Sequence, residues 1–108
     1  MLDKKTARKI AQNYANEVYK RLSPKSVVFF GSYNNGNPHE LSDIDIAVVF
    51  DGYKGDWLDT ATMLQRLRRG IDDDILVGIE PHMLDERDDP GGFLEYIMKT
   101  GEIIYERE

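Results

Sequence analysis

The chain has 108 residues, 20 acidic against 14 basic, for a net charge of −6 and no cysteine. That length suits one domain, expected to span residues 1–108, whose core buries roughly two-thirds of the unfolded surface and leaves no room for a second. The acidic balance argues against a broad grip on nucleic-acid backbone. No apolar run is long enough to cross a membrane and Met1 is followed by a charged helical segment, so no membrane contact and a cytoplasmic location are expected.

Residues 3 to 22 read as an amphipathic helix, with Asp3 as N-cap and Ala7, Ile10, Ala11, Tyr14, Val18 and Leu22 at three- and four-residue steps. Ser23-Pro24 ends it, because the residue before a proline disfavours helix. A first strand is expected at Ser26 to Phe30, followed by a Gly31-Ser32 turn and a loop over Asn34-Asn35-Gly36-Asn37-Pro38. A second strand runs from about Ile44 to Phe50. Asp56 caps a further helix with Trp57, Leu58, Ala61, Leu64 and Leu67 on one face and Gly70 as its C′ residue. Arg66, Arg68 and Arg69 crowd its last turn, where they complement the helix dipole; a triphosphate-grasping role for one of them is the alternative.

A third strand is expected from Ile75 to Glu80, stopping at Pro81. The acidic stretch Asp85 to Asp89 and Pro90-Gly91-Gly92 form a polar loop. A short helix from Phe93 to Lys99 ends at Gly101, and Glu102 to Tyr105 closes the chain as a strand. This alternation predicts an α/β (α+β) fold, a small mixed sheet flanked by helices.

The chemistry concentrates between Gly31 and Asp45. Asp43 and Asp45 stand at i and i+2 at the start of a β-branched apolar segment, so they share a strand face with Cα atoms roughly 6.5 Å apart. Two carboxylates so placed repel each other and call for a cation, and Mg²⁺ is the usual one when phosphates supply the other ligands. Gly31 directly after a strand allows close backbone approach and an anion-binding nest, to which the Ser32 hydroxyl adds a donor. The run is neither a Walker A loop nor a G-x-G-x-x-G fingerprint.

Phe30-Gly31-Ser32, ten residues, then Asp43-Ile44-Asp45 resembles the signature of the DNA polymerase beta-like nucleotidyltransferase superfamily. Ser42-Asp43-Ile44-Asp45 and the intervening Gly36 resemble its small prokaryotic branch, the minimal nucleotidyltransferases, as do Ile79-Glu80-Pro81-His82 and Met98 to Tyr105. The resemblance implies a nucleotidyltransferase-like fold and transfer of AMP from ATP to a hydroxyl acceptor, with pyrophosphate released. Two Mg²⁺ ions would be held by Asp43 and Asp45, with Gly31 and Ser32 at the outer phosphates. Relatives of this branch are often paired with small helical HEPN proteins in toxin–antitoxin systems, so a helical protein partner is expected, with self-association left open. The rival expectation is a non-catalytic module that binds a nucleotide or a partner.

Two-metal transfer usually employs a third carboxylate from a neighbouring strand. The family pattern puts it five residues before Pro81, at Leu76, which is no acid. Period-two alternation places Asp74, Leu76, Gly78 and Glu80 on one face, so Glu80 or Asp74 can substitute. Glu80 is favoured as catalytic and metal-binding residue, because Gly78 would leave space for a ligand beside it and Asp74 belongs to a solvated Asp72-Asp73-Asp74 run. His39 and His82 are expected in loops facing solvent, with His82 near enough to Glu80 to assist it.

Overall fold

Residues 2–39, 42–73 and 77–108 are described in the computed structural model of the protein. The first helix, α1 (Lys4–Arg21), starts where Asp3 accepts a hydrogen bond from the Thr6 N–H at 2.7 Å. It buries Ala7, Ala11, Tyr14, Ala15 and Val18. Three alanines on that face let the helix lie close to the sheet, and the Tyr14 hydroxyl is satisfied in the core by donating to the Leu64 carbonyl at 2.6 Å.

Four strands, β1 (Ser26–Phe30), β2 (Ile44–Phe50), β3 (Ile79–Asp85) and β4 (Glu102–Glu106), form one sheet in the order β3-β2-β1-β4. β1 runs antiparallel to both β2 and β4, whereas β2 and β3 are parallel, so the sheet is mixed as expected. The two central strands are covered on both faces, which is why they read as unbroken apolar runs. Val27, Phe29, Ile44, Ile46 and Val48 face the α1 side, and Val28, Phe30, Ala47 and Val49 face Leu94 and Ile97 of the last helix, α4 (Phe93–Thr100). No helix among the described residues is long and apolar enough to cross a membrane.

Three element expectations are corrected. First, the loop after Gly31 begins with a one-turn helix, α2 (Ser32–Asn35), closed by Gly36 in the left-handed region at φ 81°. Second, α3 (Trp57–Arg66) ends a turn earlier than Gly70, which sits at φ 82° in the turn beyond it. Its buried residues are Thr60 and Leu64, while Leu58 is 75% exposed and Trp57 lies at the surface against Tyr53. Trp57 and Leu58, expected on the packed face of α3, therefore lie outside it, while Leu64 keeps its place in the core.

Third, β3 passes through Pro81 and continues to Asp85. The Ile44 N–H donates to the Gly78 carbonyl at 2.9 Å, which turns Gly78 and every second residue after it toward β2. Ile79 and Pro81 then address the outer edge, where a missing N–H costs no ladder bond. The Ile79 N–H is not left open there, since it donates to the Asp72 carboxylate at 2.9 Å. Ile75 and Leu76, expected in this strand, lie outside the described residues.

Candidate functional site

Register brings the motif residues to one end of the sheet. Phe30 pairs with Asp45 across the antiparallel ladder, and Asp45 pairs with Glu80 across the parallel one. Gly31, Asp45 and Glu80 thus follow one another across β1, β2 and β3, with Asp43 just ahead of β2. Asp45 shares its face with Ala47 and Val49, while Ile44 and Ile46 point into the core on the other side.

Gly31 has φ 85°, and a Cβ added there would collide with the Asp45 carboxylate oxygen Oδ2. Both the backbone conformation and the close approach of the acid require glycine at this position. Ser32 opens α2 immediately beyond it, so the Gly-Ser turn begins directly beside Asp45.

Asp43 and Glu80 are exposed, and Asp45 is half-buried. A hydrogen bond to Asp43 is the main reason the Glu80 carboxyl titrates above the usual glutamate range; burial and the charges of Asp43 and Asp45 add to it, and His82 opposes it. The crowding of like charges therefore makes Glu80 harder to ionise than a free glutamate. Among the described residues no three acidic or imidazole side chains stand as a ready-made metal cage. The donor chemistry nonetheless suits a hard divalent cation, because oxygen ligands on one open face already need positive charge between them.

His82 is corrected from a solvent-facing loop residue to a member of β3. Its Nε2 lies 3.1 Å from Asp45 Oδ1, and its ring meets Phe30 and Phe93 at centroid distances of 5.1 and 6.2 Å. It steers the Asp45 carboxylate, as outer partners of metal-binding groups commonly do. Continuing the alternation Gly78, Glu80 through Pro81 would have put His82 on the same face.

Arg68 is corrected as well. Its Nε donates to Asp72 Oδ2 and its Nη1 to Gln65 Oε1, both at 2.9 Å, so it is not a freely solvated cation. The space above Gly78, expected to admit a ligand or metal, holds the Arg68 guanidinium: a Cβ on Gly78 would lie 3.0 Å from Nη2. The four-residue step from Arg68 to Asp72 was the available signal. His39 remains in the loop before β2, where its N–H donates to the Ser42 hydroxyl at 2.8 Å. Asp74 and Leu76 lie outside the described residues.

A mixed sheet carrying a Gly-Ser turn and an Asp-x-Asp pair at one end has the architecture of a nucleotidyltransferase. The family described as "Polymerase beta, Nucleotidyltransferase" matches residues 9–108, and the chain belongs to that family. Among solved structures, a candidate nucleotidyltransferase from Sulfolobus solfataricus is similar, with 26% identity and a TM-score of 0.67 over 96% of this chain and 84% of the other. A mutant of the toxin–antitoxin MntA-HpeT shares the fold, with 17% identity and a TM-score of 0.58 over 99% of this chain and 76% of its own. No curated protein sequence matches.

Proposed function

We propose that the protein is a Mg²⁺-dependent nucleotidyltransferase that moves AMP from ATP to a hydroxyl on a partner protein, in the cytoplasm. The observation that carries this is the register Phe30–Asp45–Glu80, which lines up a glycine turn, the paired aspartates and a third acid across neighbouring strands. Gly31 and Ser32 bind and orient the outer phosphates, because backbone N–H groups and a hydroxyl can converge there. Asp43 and Asp45 would hold the ions, with Glu80 as the third carboxylate. When bound, the two ions supply positive charge to the triphosphate and to the oxygens that gain charge during transfer.

The acceptor oxygen forms a bond to the α-phosphorus as the bond to the pyrophosphate oxygen breaks, and pyrophosphate leaves. Glu80, as a carboxylate, completes the acceptor-side ion's ligands or takes the hydroxyl proton. His82 holds Asp45 in register during the exchange. The partner assignment is supported by the toxin–antitoxin neighbour and by the resemblance to small nucleotidyltransferases paired with helical HEPN proteins.

Incubation with α-labelled ATP, Mg²⁺ and such a helical protein tests the reading. Label should appear on the partner and vanish with Asp43→Asn combined with Asp45→Asn, and Glu80→Gln should slow transfer by at least about 10²-fold. Transfer that survives the double aspartate substitution overturns the site. Saturable Mg-ATP binding with no label on any acceptor would instead favour a nucleotide-binding module without turnover, the rival motivated by the absence of an acid at Leu76.

A further inference from the structure

Beside Glu80, on the side away from Gly31, lies a cavity of about 220 Å³ lined by Asp43, Gln65, Arg68, Gly78, Ile79 and Glu80. Its position follows from the register: Gly31 is at the end of β1, Asp45 on β2, Glu80 on β3, and the cavity lies where β3 begins, under the end of α3. In-line displacement at phosphorus requires the attacking oxygen and the leaving oxygen to sit on opposite sides. With the outer phosphates at Gly31 and Ser32, the hydroxyl must approach from the cavity side.

The cavity has a prepared wall. Asp72, whose side chain is only 7% exposed, accepts both from Arg68 Nε and from the Ile79 N–H, so one buried carboxylate ties the arginine to the start of the strand that carries Glu80. Gln65 fixes Nη1. Arg68 Nη2 hydrogen-bonds to none of the described residues and lies over Gly78, whose missing Cβ makes room for it. A guanidinium held rigidly at two nitrogens with the third left over is preorganised to bind an oxygen anion.

We propose, resting on the nucleotidyl-transfer reading, that this cavity is the acceptor subsite and that Arg68 selects an acceptor hydroxyl with a carboxylate or phosphate group close to it, for which small charged alcohols are the probes. Asp72 and Gln65 are positioning residues for Arg68. The anion meets Nη2 while the hydroxyl faces Glu80, and the missing Cβ of Gly78 leaves room for Nη2 at the cavity wall.

The test uses the ¹⁵N-labelled full chain with Mg²⁺ and the non-hydrolysable α,β-methylene analogue of ATP, followed by NMR during addition of glycerol 3-phosphate, glycerate or glycerol. Both charged compounds should shift the Gly78 and Ile79 amides, the Gln65 side-chain amide and the Arg68 Nε–H, with glycerol at least about tenfold weaker at the same resonances. Arg68→Gln should remove the preference for the charged compounds. Because that variant strands the Asp72 carboxylate, Gly78→Ala serves as a second: its methyl pushes the guanidinium aside without breaking the Arg68–Asp72 pair, and should weaken the same shifts. Equal shifts with glycerol, shifts confined to Gly31–Asn35, or a preference that survives both substitutions would overturn the proposal. The nucleotide's own shifts at Gly31 and Ser32 report separately on the transfer reading, so failure of one is distinguishable from failure of the other.

Discussion

Gly31 concentrates two demands in one residue, a left-handed backbone and a carboxylate pressed against its Cα. Gly31→Ala should cost on the order of 1–3 kcal/mol in backbone strain and displace Asp45, so nucleotide binding should fall by more than tenfold while far-ultraviolet circular dichroism still shows a folded chain. Tyr33 makes the opposite case. Its ring is fully buried and its hydroxyl has no hydrogen-bond partner among the described residues. Tyr33→Phe removes an unmet polar group, so urea denaturation should find stability unchanged or raised by about 1 kcal/mol; a loss of more than about 1 kcal/mol would mean that the hydroxyl is satisfied. At this scale the motif residues were legible because spacing within one hairpin is a local property. Arg68 and His82 were not, since their roles depend on which strand lies beside which.

Among the elements, β3 shows how a local rule gives way to context. Proline is read as a strand breaker because it removes a donor, but that penalty vanishes where the donor would face the open edge, as at Pro81. The phase of alternation survived the misplaced boundaries, with Ile79 in the core and Glu80 exposed. Helix α3 failed in the other direction: Trp57 and Leu58 are apolar yet exposed, while Thr60 is buried and hydrogen-bonded to the Tyr53 hydroxyl. A polar residue satisfied by a neighbouring side chain cannot be recognised by periodicity.

The far end of β3 carries its own electrostatic prediction. The Asp85 carboxylate accepts from the Tyr53, Gly52 and Arg87 N–H groups, and these bonds hold its titration below the ordinary aspartate value of 3.8. A carboxyl depressed by folding contributes stability that is fully present above its unfolded value and is lost as pH falls through the lower folded value. Asp85→Asn should therefore be less stable than the parent in urea at pH 7, and the gap should narrow by pH 3. A gap that stays constant with pH would show that the charge is not what fastens the loop to the strand.

Across the whole molecule, the sheet serves two ends differently. Its central strands are sealed on both faces, while one end gathers the carboxyl groups of Asp43, Asp45 and Glu80. Collecting like charges there opposes folding whenever no cation is present. Glu80→Gln should accordingly raise the unfolding midpoint slightly in metal-free buffer at pH 7, by no more than about 1 kcal/mol, and the gain should disappear when Mg²⁺ and nucleotide stabilise the parent. Thermal scans with and without Mg-ATP would decide it; a drop in the metal-free midpoint would mean that Glu80 helps to hold the fold together.

The parallel pairing of β2 with β3 also has a consequence in time. β1 and β2 meet through a short connection, whereas β3 reaches β2 only after α3 has crossed over, so its closure is the more costly in chain entropy. As an edge strand paired with a neighbour on one side only, it has fewer ladder bonds to hold it. Amide exchange should release β3 before the β1–β2 hairpin. The protein would then pass through states that keep the glycine turn and both aspartates while the third acid and the arginine wall have swung away, able to hold a nucleotide and unable to spend it.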